Sequence, residues 1–338
     1  MLERVLILAG GGGHTGIAYA LAQALHKKAS LSFISPEGDS LSEERLVKFG
    51  EVKFLIKPRG PKTPPHIFAL RLARAFMSSM RLNIHKFDVV VSTGSNFCLP
   101  PAIIAWMIGV PVVNIESLVR FTVPSRVARI LQPFSTITAL HWEEQRRLLD
   151  GVVVGPTLSP PQNKPWNGGY ILVSGGTHGH KLLFDALSES KMKNVVLQTG
   201  EVNPTPYVKK HPEWKVVAFA ENFHELLAGA ELVVSHFGST VLDAVVYGKP
   251  VVLVLNPELT RTVGIEDAEH LAKKVNAVLV SEINLDTLLE AINKAKKRKV
   301  PTLPNGAENL ANIIIKLSQD RRKVEVANYL CDNTSIPV

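Results

Sequence analysis

The chain has 338 residues, a hydrophobic fraction of 46% and a formal net charge of +8. This length exceeds the size to which one hydrophobic core usually grows, so we predict two domains, and the apolar fraction excludes a disordered protein. The two cysteines, Cys98 and Cys331, are far apart in the sequence. This spacing argues against a disulfide framework and is typical of a protein from a reducing cytoplasm.

Positive charge is concentrated in the first half of the chain. Residues 1–157 contain 18 Lys and Arg against 11 Asp and Glu, whereas residues 158–338 contain 20 against 19. We therefore expect the first half to meet an anionic surface or an anionic substrate.

The longest uncharged run, from Ser92 to Ile115, does not predict a membrane span. Pro100, Pro101 and Pro111 interrupt it where a span requires a continuous helix. The N-terminus is an apolar strand pattern that runs into glycines, so we also expect no signal peptide. We interpret the run as a loop, a short buried helix and a buried strand.

Apolar runs and helical patterns alternate from the N-terminus. The predicted elements are a strand at 5–9, a helix to about 28, a strand at 31–34, a helix around 42–49 and a strand at 52–56. This alternation predicts a parallel α/β sheet, in which ligands bind at the carboxyl ends of the strands.

Four glycines, Gly10–Gly13, join the first strand to the first helix, and His14 and Thr15 follow them. Glycine lets the backbone turn sharply and lets a ligand approach its N–H groups, and a helix N-terminus favours an anion. We therefore predict a phosphate site at this loop, with the imidazole of His14 beside it. The alternative interpretation is a glycine-lined turn with a capping histidine.

The segment 52–87 carries eight Lys and Arg and no Asp or Glu. Within it we predict a helix on which Arg71, Arg74 and Arg81 fall within about 80° of one face. The apolar residues of this helix are Ile67, Phe68, Leu70, Leu72, Phe76, Met77 and Met80. A basic amphipathic helix of this kind suits a lipid headgroup layer or an anionic lipid substrate, and the alternative is a solvated helix face. We disfavour nucleic acid as a partner because aromatic residues are sparse and no recognition motif occurs.

Two further predicted strands end in polar residues. One ends at Ser92 and runs into the small polar loop 93–96, a second candidate site for an anion or a sugar hydroxyl. The next strand, at 110–115, is followed by Glu116, whose carboxylate at the ligand-binding edge is placed to act as a base or to orient one. The alternative for Glu116 is an ion pair with Arg120 or Arg126.

The second half of the chain repeats the strand, glycine loop and helix order of the first half. The stretch 155–169 breaks every pattern and is predicted to link two domains, 1–157 and 158–338. After it come a strand at 170–173, a glycine loop at 174–179 and a helix at 182–187, which predicts two similar α/β halves. From about residue 285 the chain is helical, and packing of its tail back onto the first domain is one option.

A third glycine-containing loop opens another helix of the second half. His236-Phe-Gly-Ser-Thr240 follows a predicted strand at 232–235 and precedes a predicted helix at 241–247. We predict that the N–H groups of this loop hold a diphosphate and that Asp243, one turn into the helix, holds a ribose. The alternative for Asp243 and Glu266 is first-turn charge that complements the helix dipole.

The motifs of the first half are similar to those of a known glycosyltransferase family. Gly11-Gly-Gly-His-Thr15, Ser92–Pro100 and Asn114–Arg120 resemble the acceptor-binding subunit of the eukaryotic UDP-N-acetylglucosamine transferase. That two-subunit enzyme adds the second N-acetylglucosamine to dolichyl-diphosphate N-acetylglucosamine.

The motifs of the second half resemble the donor-binding subunit of the same enzyme. They are Ser235–Thr240, Gly248–Val252, Asn256-Pro257 and Glu266. The loop at 175–179 is more similar to the bacterial peptidoglycan N-acetylglucosaminyltransferase of the same superfamily. The chain thus resembles a fused, single-chain homologue of the archaeal N-glycosylation type.

This resemblance implies two Rossmann-like domains that face each other across a cleft, the GT-B fold, and an inverting, β-1,4-forming transfer from UDP-GlcNAc to lipid-diphosphate-linked GlcNAc in N-glycan assembly. His14 is then the leading candidate for the base, with Glu116 as its partner or substitute. The implied acceptor-binding residues are Gly11, Gly12, Gly13, Thr15, Thr93, Gly94, Ser95, Asn96, Ser117 and Arg120. The implied donor-binding residues are Gly175, Gly176, Thr177, His178, His236, Gly238, Ser239, Thr240, Asp243, Asn256 and Glu266. The implied membrane-facing residues are Arg71, Arg74 and Arg81.

The expected partners are a UDP-sugar, a polyprenyl- or dolichyl-diphosphate sugar and the cytoplasmic face of the cell membrane, to which the protein would bind peripherally. We expect no cofactor and no metal, because the sequence contains no Asp-x-Asp motif. Two alternatives remain for an enzyme of this plan, a UDP-sugar 2-epimerase and an exopolysaccharide glycosyltransferase that uses another UDP-hexose. A catalytically idle partner subunit is disfavoured because both halves retain their loops.

Overall fold

The computed structural model describes residues 2–59, 63–259 and 264–333, which form two compact units. Unit 1 contains the chain up to Leu118, Val123–Leu158 and the segment from Asn305. Unit 2 contains Val119–Thr122 and Ser159–Pro304. The division after Leu158 lies one residue from the predicted boundary. Two segments belong to a different unit from the one predicted: residues 119–122 belong to unit 2, and the segment from Asn305 belongs to unit 1.

Within the described part of unit 1, seven strands alternate with α-helices. In chain order the elements are β1 (Glu3–Leu8), α1 (Gly13–Leu25), β2 (Ala29–Pro36), α2 (Ser40–Leu46), β3 (Gly50–Leu55), α3 (Pro65–Met80), β4 (Val89–Ser92), α4 (Leu99–Met107), β5 (Val112–Ile115), α5 (Arg126–Leu131), β6 (Ile137–Leu140) and β7 (Val152–Val153). The strands are parallel and lie in the order β3-β2-β1-β4-β5-β6-β7. The order reverses between β1 and β4, so the loops that follow these strands lie side by side.

The described part of unit 2 repeats this plan with six strands. The elements are β8 (Tyr170–Ser174), α6 (Lys181–Leu187), β9 (Val195–Gln198), α7 (Thr205–Lys210), β10 (Lys215–Val217), α8 (Phe223–Gly229), β11 (Ala230–His236), α9 (Ser239–Val246), β12 (Val251–Val254), α10 (Ile265–Val275), β13 (Val278–Val280) and α11 (Leu285–Ala295). The strand order is β10-β9-β8-β11-β12-β13, again parallel, with its reversal between β8 and β11. The predicted pair of parallel α/β sheets is therefore confirmed.

The last helix, α12 (Gly306–Asn333), belongs to unit 1. The helical stretch predicted from residue 285 is in fact two helices, because Pro301 and Pro304 in the connection do not continue a helix. The amide of Gly306 donates to the carbonyl of Pro156 (3.1 Å), and the Asn309 side chain donates to the carbonyl of Val154 (2.9 Å). These bonds hold the start of α12 against the end of the first sheet.

Helix α3 confirms the predicted helix but presents its apolar residues differently. Ala75 and Ser79 are buried and Phe76 packs into the core of unit 1, where α3 lies against α4. Leu70, Met77 and Met80 were expected among the apolar residues of this helix, yet their side chains are 53–65% exposed. Ala and Ser allow the two helices to approach closely, which turns the larger side chains outward. Among the described residues, no helix combines the length and apolar character that a bilayer crossing requires.

Candidate functional site

The first glycine loop, Gly10–Gly13, lies where the strand order of unit 1 reverses. Gly11 and Gly12 adopt left-handed backbone conformations, with φ of +84° and +59°. A Cβ on Gly10 would lie 2.1 Å from the Cβ of Ser95, so the loops after β1 and β4 touch. The amides of residues 11–13 have no hydrogen-bond acceptor among the residues that the structure describes. Because α1 starts at Gly13, these amides and the helix dipole form an arrangement that attracts anions.

His14 lies directly beside this loop in a defined orientation. Its Nδ1–H donates to the carbonyl oxygen of Thr93, at 2.6 Å. The neutral ring carries one N–H, so Nε2 retains its lone pair, and Nε2 has no partner within the described part of the chain. Burial lowers the pKa of His14 most, the carbonyl of Thr93 raises it and the nearby charge of Lys57 lowers it, with a net shift below the usual value. His14 therefore offers a basic nitrogen at neutral pH.

Gly94 connects the His14 ring with the end of β5. Its φ is +96°, and a Cβ added there would lie 2.9 Å from the carbonyl oxygen of Ile115 and 3.7 Å from Cε1 of His14. Only glycine fits between the two. The predicted candidates His14 and Gly94 are thus brought together within unit 1, next to the residue that precedes Glu116.

Glu116 is fully buried at the end of β5. Its carboxylate accepts hydrogen bonds from the backbone amides of Ser117 and, at 3.0 Å, Ser125. The carboxylate thereby closes the irregular loop between β5 and α5. A role as base, and the alternative of an ion pair, both remain predictions for this residue.

The hydroxyl groups of Thr15 and Thr93 are used inside the protein. Thr15 Oγ1 lies 2.5 Å from Ser42 Oγ, and Thr93 Oγ1 donates to the carbonyl of Leu8 at 2.8 Å. Both side chains are 1% exposed, so they support the loop backbone from inside unit 1. By contrast, the buried Oδ1 of Asn96 has no hydrogen-bond partner among the described residues.

Two further predicted residues follow Glu116. Ser117 is half-buried within unit 1, whereas Arg120 lies in the segment Val119–Thr122 of unit 2. In unit 2, Asp267 at the start of α10 accepts hydrogen bonds from the amides of Phe121 and Thr122, at 2.8 and 2.9 Å.

The second glycine loop, Gly175–Gly179, lies where the strand order of unit 2 reverses, beside the loop that follows β11. Gly176 and Gly179 have φ of +64° and +79°. A Cβ on Gly176 would lie 3.2 Å from Nε2 of His236. The structure thus brings together the two loops that were predicted to bind the donor.

His236 has the opposite tautomer to His14, with its proton on the other ring nitrogen. The side-chain amide of Asn256 donates to His236 Nδ1 at 3.3 Å and to the carbonyl of Gly179 at 3.4 Å. A neutral ring that accepts at Nδ1 carries its proton at Nε2, so His236 presents an N–H at the second glycine loop. Burial, together with the nearby charges of His180 and His178, lowers the pKa of His236 to about 4. Asn256 therefore orients the histidine and the loop together.

The remaining donor candidates lie around this pair. Gly238, Ser239 and Thr240 form the start of α9, and their amides have no acceptor within the described part of unit 2. Asp243 is half-buried in that helix, and Glu266 is exposed in the first turn of α10. His178 is exposed and its Nδ1 lies 3.0 Å from Glu201 Oε2, while Thr177 follows the left-handed Gly176.

Sequence reasoning missed Lys57 at the first glycine loop and His180 at the second. A Cβ on Gly11 would lie 3.7 Å from Lys57 Nζ and 3.0 Å from Asp39 Oδ2. The available signal for Lys57 was its position directly after a predicted strand. His180 Nε2 donates to the carbonyl of Leu255 at 3.0 Å, and nothing in the sequence pattern indicated that contact.

Comparisons with known proteins agree with this architecture. Residues 170–320 match the family model "Glycosyltransferase family 28 C-terminal domain". A UDP-N-acetylglucosamine–N-acetylmuramyl-(pentapeptide) pyrophosphoryl-undecaprenol N-acetylglucosamine transferase from Salinibacter ruber is 26% identical, over 94% of this chain and 98% of the relative.

Solved structures show the same fold at lower identity. MurG from Acinetobacter baumannii superposes with a TM-score of 0.65 at 20% identity, covering 94% of this chain and all of that one. UDP-GlcNAc 2-epimerase from Neisseria meningitidis, bound to UDP-GlcNAc, superposes with a TM-score of 0.66 at 15% identity, with the same coverage. The predicted GT-B fold is confirmed.

Proposed function

We propose that this chain is a glycosyltransferase that moves N-acetylglucosamine from UDP-GlcNAc to a lipid-diphosphate-linked sugar. The match of residues 170–320 to the family 28 C-terminal domain and the 26% identity to a bacterial lipid-linked GlcNAc transferase support this proposal. The relative from Salinibacter ruber has an acceptor of this class, a sugar on undecaprenyl diphosphate. For this chain we propose GlcNAc on a polyprenyl or dolichyl diphosphate as the acceptor, with a β-1,4 linkage as the product.

The orientation of His14 is the observation that carries this proposal. A displacement at the anomeric carbon requires a base for the acceptor hydroxyl proton and a site that holds the acceptor anion nearby. The free Nε2 of His14 and the amides of the first glycine loop supply these two functions at adjacent positions. As the new bond from oxygen to the anomeric carbon forms and the bond to UDP breaks, the proton passes to Nε2.

The groups at the second glycine loop suit the leaving diphosphate. The Nε2–H of His236 and the free amides at the start of α9 are hydrogen-bond donors. Hydrogen bonds from them to UDP strengthen as negative charge develops on the leaving group. Asp243 and Glu266 are proposed to bind hydroxyl groups of the donor. Neutralisation of the leaving group by amide and imidazole donors is consistent with the proposed metal-independent reaction.

The outer surface of α3 and the end of α4 is proposed to contact the membrane. Arg71, Arg74 and Arg81 are exposed, and so are Leu70, Met77 and Met80 on the same helix. The end of α4 adds three exposed apolar side chains, those of Trp106, Met107 and Ile108. Exposed apolar groups surrounded by cations suit the interface of an anionic bilayer.

The direct test uses the purified protein with a short-chain lipid-diphosphate GlcNAc and a panel of UDP-sugars. We expect mass spectrometry to show one added N-acetylhexosamine with UDP-GlcNAc only. Addition of a plain hexose from another UDP-sugar would instead identify the exopolysaccharide-type alternative. No product with any donor would contradict the proposed transfer.

A UDP-sugar 2-epimerase is the second candidate, because a solved epimerase superposes as well as the transferase does. One control experiment distinguishes the two functions. Incubation with UDP-GlcNAc and no acceptor yields the 2-epimer only if the protein is an epimerase.

A further inference from the structure

Three consecutive backbone carbonyls after β5 are each bound by a side chain from the turn after β6. His141 Nε2 lies 2.8 Å from the carbonyl oxygen of Glu116. Gln145 Nε2 donates to the carbonyl of Ser117 at 2.8 Å, and Trp142 Nε1 donates to the carbonyl of Leu118 at 2.8 Å. We call His141, Trp142 and Gln145 the carbonyl clamp.

The carbonyl clamp is itself fixed within unit 1. Its side chains are 0–6% exposed, and Gln145 Oε1 accepts from the amides of both other members, at 2.7 and 3.3 Å. The neutral His141 ring has one N–H, which binds the carbonyl of Glu116 through Nε2, so Nδ1 lies 3.1 Å from the carbonyl oxygen of Gly155 without donating to it. A buried side chain with several hydrogen bonds has little rotational freedom, so it fixes the position of the backbone that it binds.

The loop that the clamp holds carries the candidate residues Glu116 and Ser117. No helix or strand occurs between Ile115 and Arg126. Beyond the amide of Glu116, which donates to the carbonyl of Ala139 at 3.0 Å, regular backbone hydrogen bonding does not position this loop. The Glu116 carboxylate fixes it on one side through the amides of Ser117 and Ser125. The clamp fixes it on the other side through the carbonyls.

We propose that His141, Trp142 and Gln145 are positioning residues for the transfer reaction, acting through Glu116 and Ser117. This inference rests on the proposed function and on the acceptor-side roles that the resemblance implies for Glu116 and Ser117. The clamp residues do not themselves touch substrate. Their effect arises because a catalytic group displaced by about 1 Å costs up to about a hundredfold in rate.

The test is Trp142→Phe, which removes the indole N–H and keeps an aromatic ring. Trp214→Phe is a matched control, because Trp214 is also 6% exposed and its Nε1 donates to a carbonyl, that of Met192 in unit 2. With UDP-GlcNAc and short-chain lipid-diphosphate GlcNAc, we expect Trp142→Phe to lower kcat at least about tenfold and to leave the donor KM unchanged. Trp214→Phe is expected to keep kcat within twofold at a similar loss of Tm.

A double-mutant cycle shows whether the effect passes through the loop. Glu116→Gln removes the charge and replaces one of the two accepting oxygens by an NH2 group, so the amide of either Ser117 or Ser125 loses its acceptor. If the clamp acts through Glu116, adding Trp142→Phe to Glu116→Gln lowers kcat by much less than it does in the wild type. Equal effects in both backgrounds, or equal effects of the two tryptophan substitutions, would overturn the proposal.

Hydrogen–deuterium exchange tests the clamp without any assay of activity. We expect peptides that cover 112–125 to exchange faster in Trp142→Phe and at the wild-type rate in Trp214→Phe. Unchanged exchange would refute the clamp even in an active enzyme. Wild-type protein that transfers no sugar would contradict the proposed function, while the exchange measurement would still decide the clamp.

Discussion

His14 follows β1 in unit 1 and His236 ends β11 in unit 2, each next to a glycine loop, and their rings present different groups. The Nδ1–H of His14 donates to the carbonyl of Thr93, which leaves Nε2 unprotonated as a base. The amide of Asn256 donates to Nδ1 of His236, which places the proton on Nε2. One hydrogen bond thus makes one histidine suited to accept a proton and the other suited to bind an anion.

Replacement of His14 by Ala is expected to lower kcat by about a hundredfold or more, the usual contribution of a general base. The ring must be neutral to accept a proton, so the wild-type rate rises with pH and reaches a plateau above an apparent pKa. We expect this pKa to be lower than the usual histidine value. Lys57→Gln should move this rise to higher pH, because the positive charge of Lys57 lowers the pKa of His14. Steady-state kinetics from pH 5 to 8 measure both effects.

His26→Ala is the control for this experiment. The His26 ring also contacts a backbone carbonyl, that of Gln23 at 2.8 Å, but it is exposed at the other end of α1. Its replacement should leave the rate and its pH profile unchanged. A wild-type rate in His14→Ala would remove this residue from the mechanism.

Gly94→Ala is expected to lower kcat at least about tenfold, because the new methyl group meets the carbonyl of Ile115 and the His14 ring. Gly109→Ala is a matched control, since Gly109 also has a positive φ, of +72°, but nothing lies within 4 Å of its added Cβ. Both changes carry backbone strain of about 1–2 kcal/mol. If both variants lost activity equally, strain alone would explain the loss; kinetics together with urea denaturation separate the two cases.

At the level of elements, α3 shows how neighbouring packing overrides a helical pattern. Ala75 and Ser79 face α4, so Met77 and Met80 remain exposed next to the arginines. This outcome strengthens the basic and apolar character of the outer surface, which the periodicity alone would have buried in part.

Charge reversal of Arg71, Arg74 and Arg81 to Glu should lower binding to anionic vesicles by about a hundredfold or more, at roughly 1 kcal/mol for each cation near the surface. Sedimentation with vesicles that contain anionic lipid measures the binding, and raised salt should weaken it in the wild type. Reversal of three exposed lysines of unit 2, Lys209, Lys297 and Lys299, controls for net charge. Equal loss in both variants would show that α3 has no special role.

Over the whole molecule, each unit contains a buried histidine that stays neutral when folded. Burial lowers the pKa of both His141 and His236 to about 4. An unfolded chain binds protons at these residues below about pH 6.5, and the folded chain does not. The free energy of unfolding therefore falls as pH drops from about 6.5 to about 4, by on the order of 3 kcal/mol for each histidine.

Urea denaturation at pH 7 and pH 4.5 measures this loss. His141→Gln should reduce the pH dependence of unit 1, and His236→Asn should reduce that of unit 2. Because two units need not unfold together, a separate probe for each is required. Stability that is level from pH 7 to 4.5 would contradict the assignment of both rings as neutral.

The sequence by itself determined the features that depend on neighbours in the chain. Alternating apolar runs fixed the parallel α/β class, and the glycines at 10–13 and 175–179 marked the turns that need left-handed backbone. The histidines next to those turns were visible for the same reason. Local backbone demands and residue periodicity are properties of short segments, so they can be read without coordinates.

Only the tertiary structure decided which distant residues meet. The strand orders place the loops after β1 and β4, and after β8 and β11, side by side. The ring orientation of His14 depends on Thr93, 79 residues away, and the loop at Glu116 is held by side chains from 141–145. Such contacts follow from sheet order and side-chain packing across the whole unit, and no local pattern in the sequence encodes them.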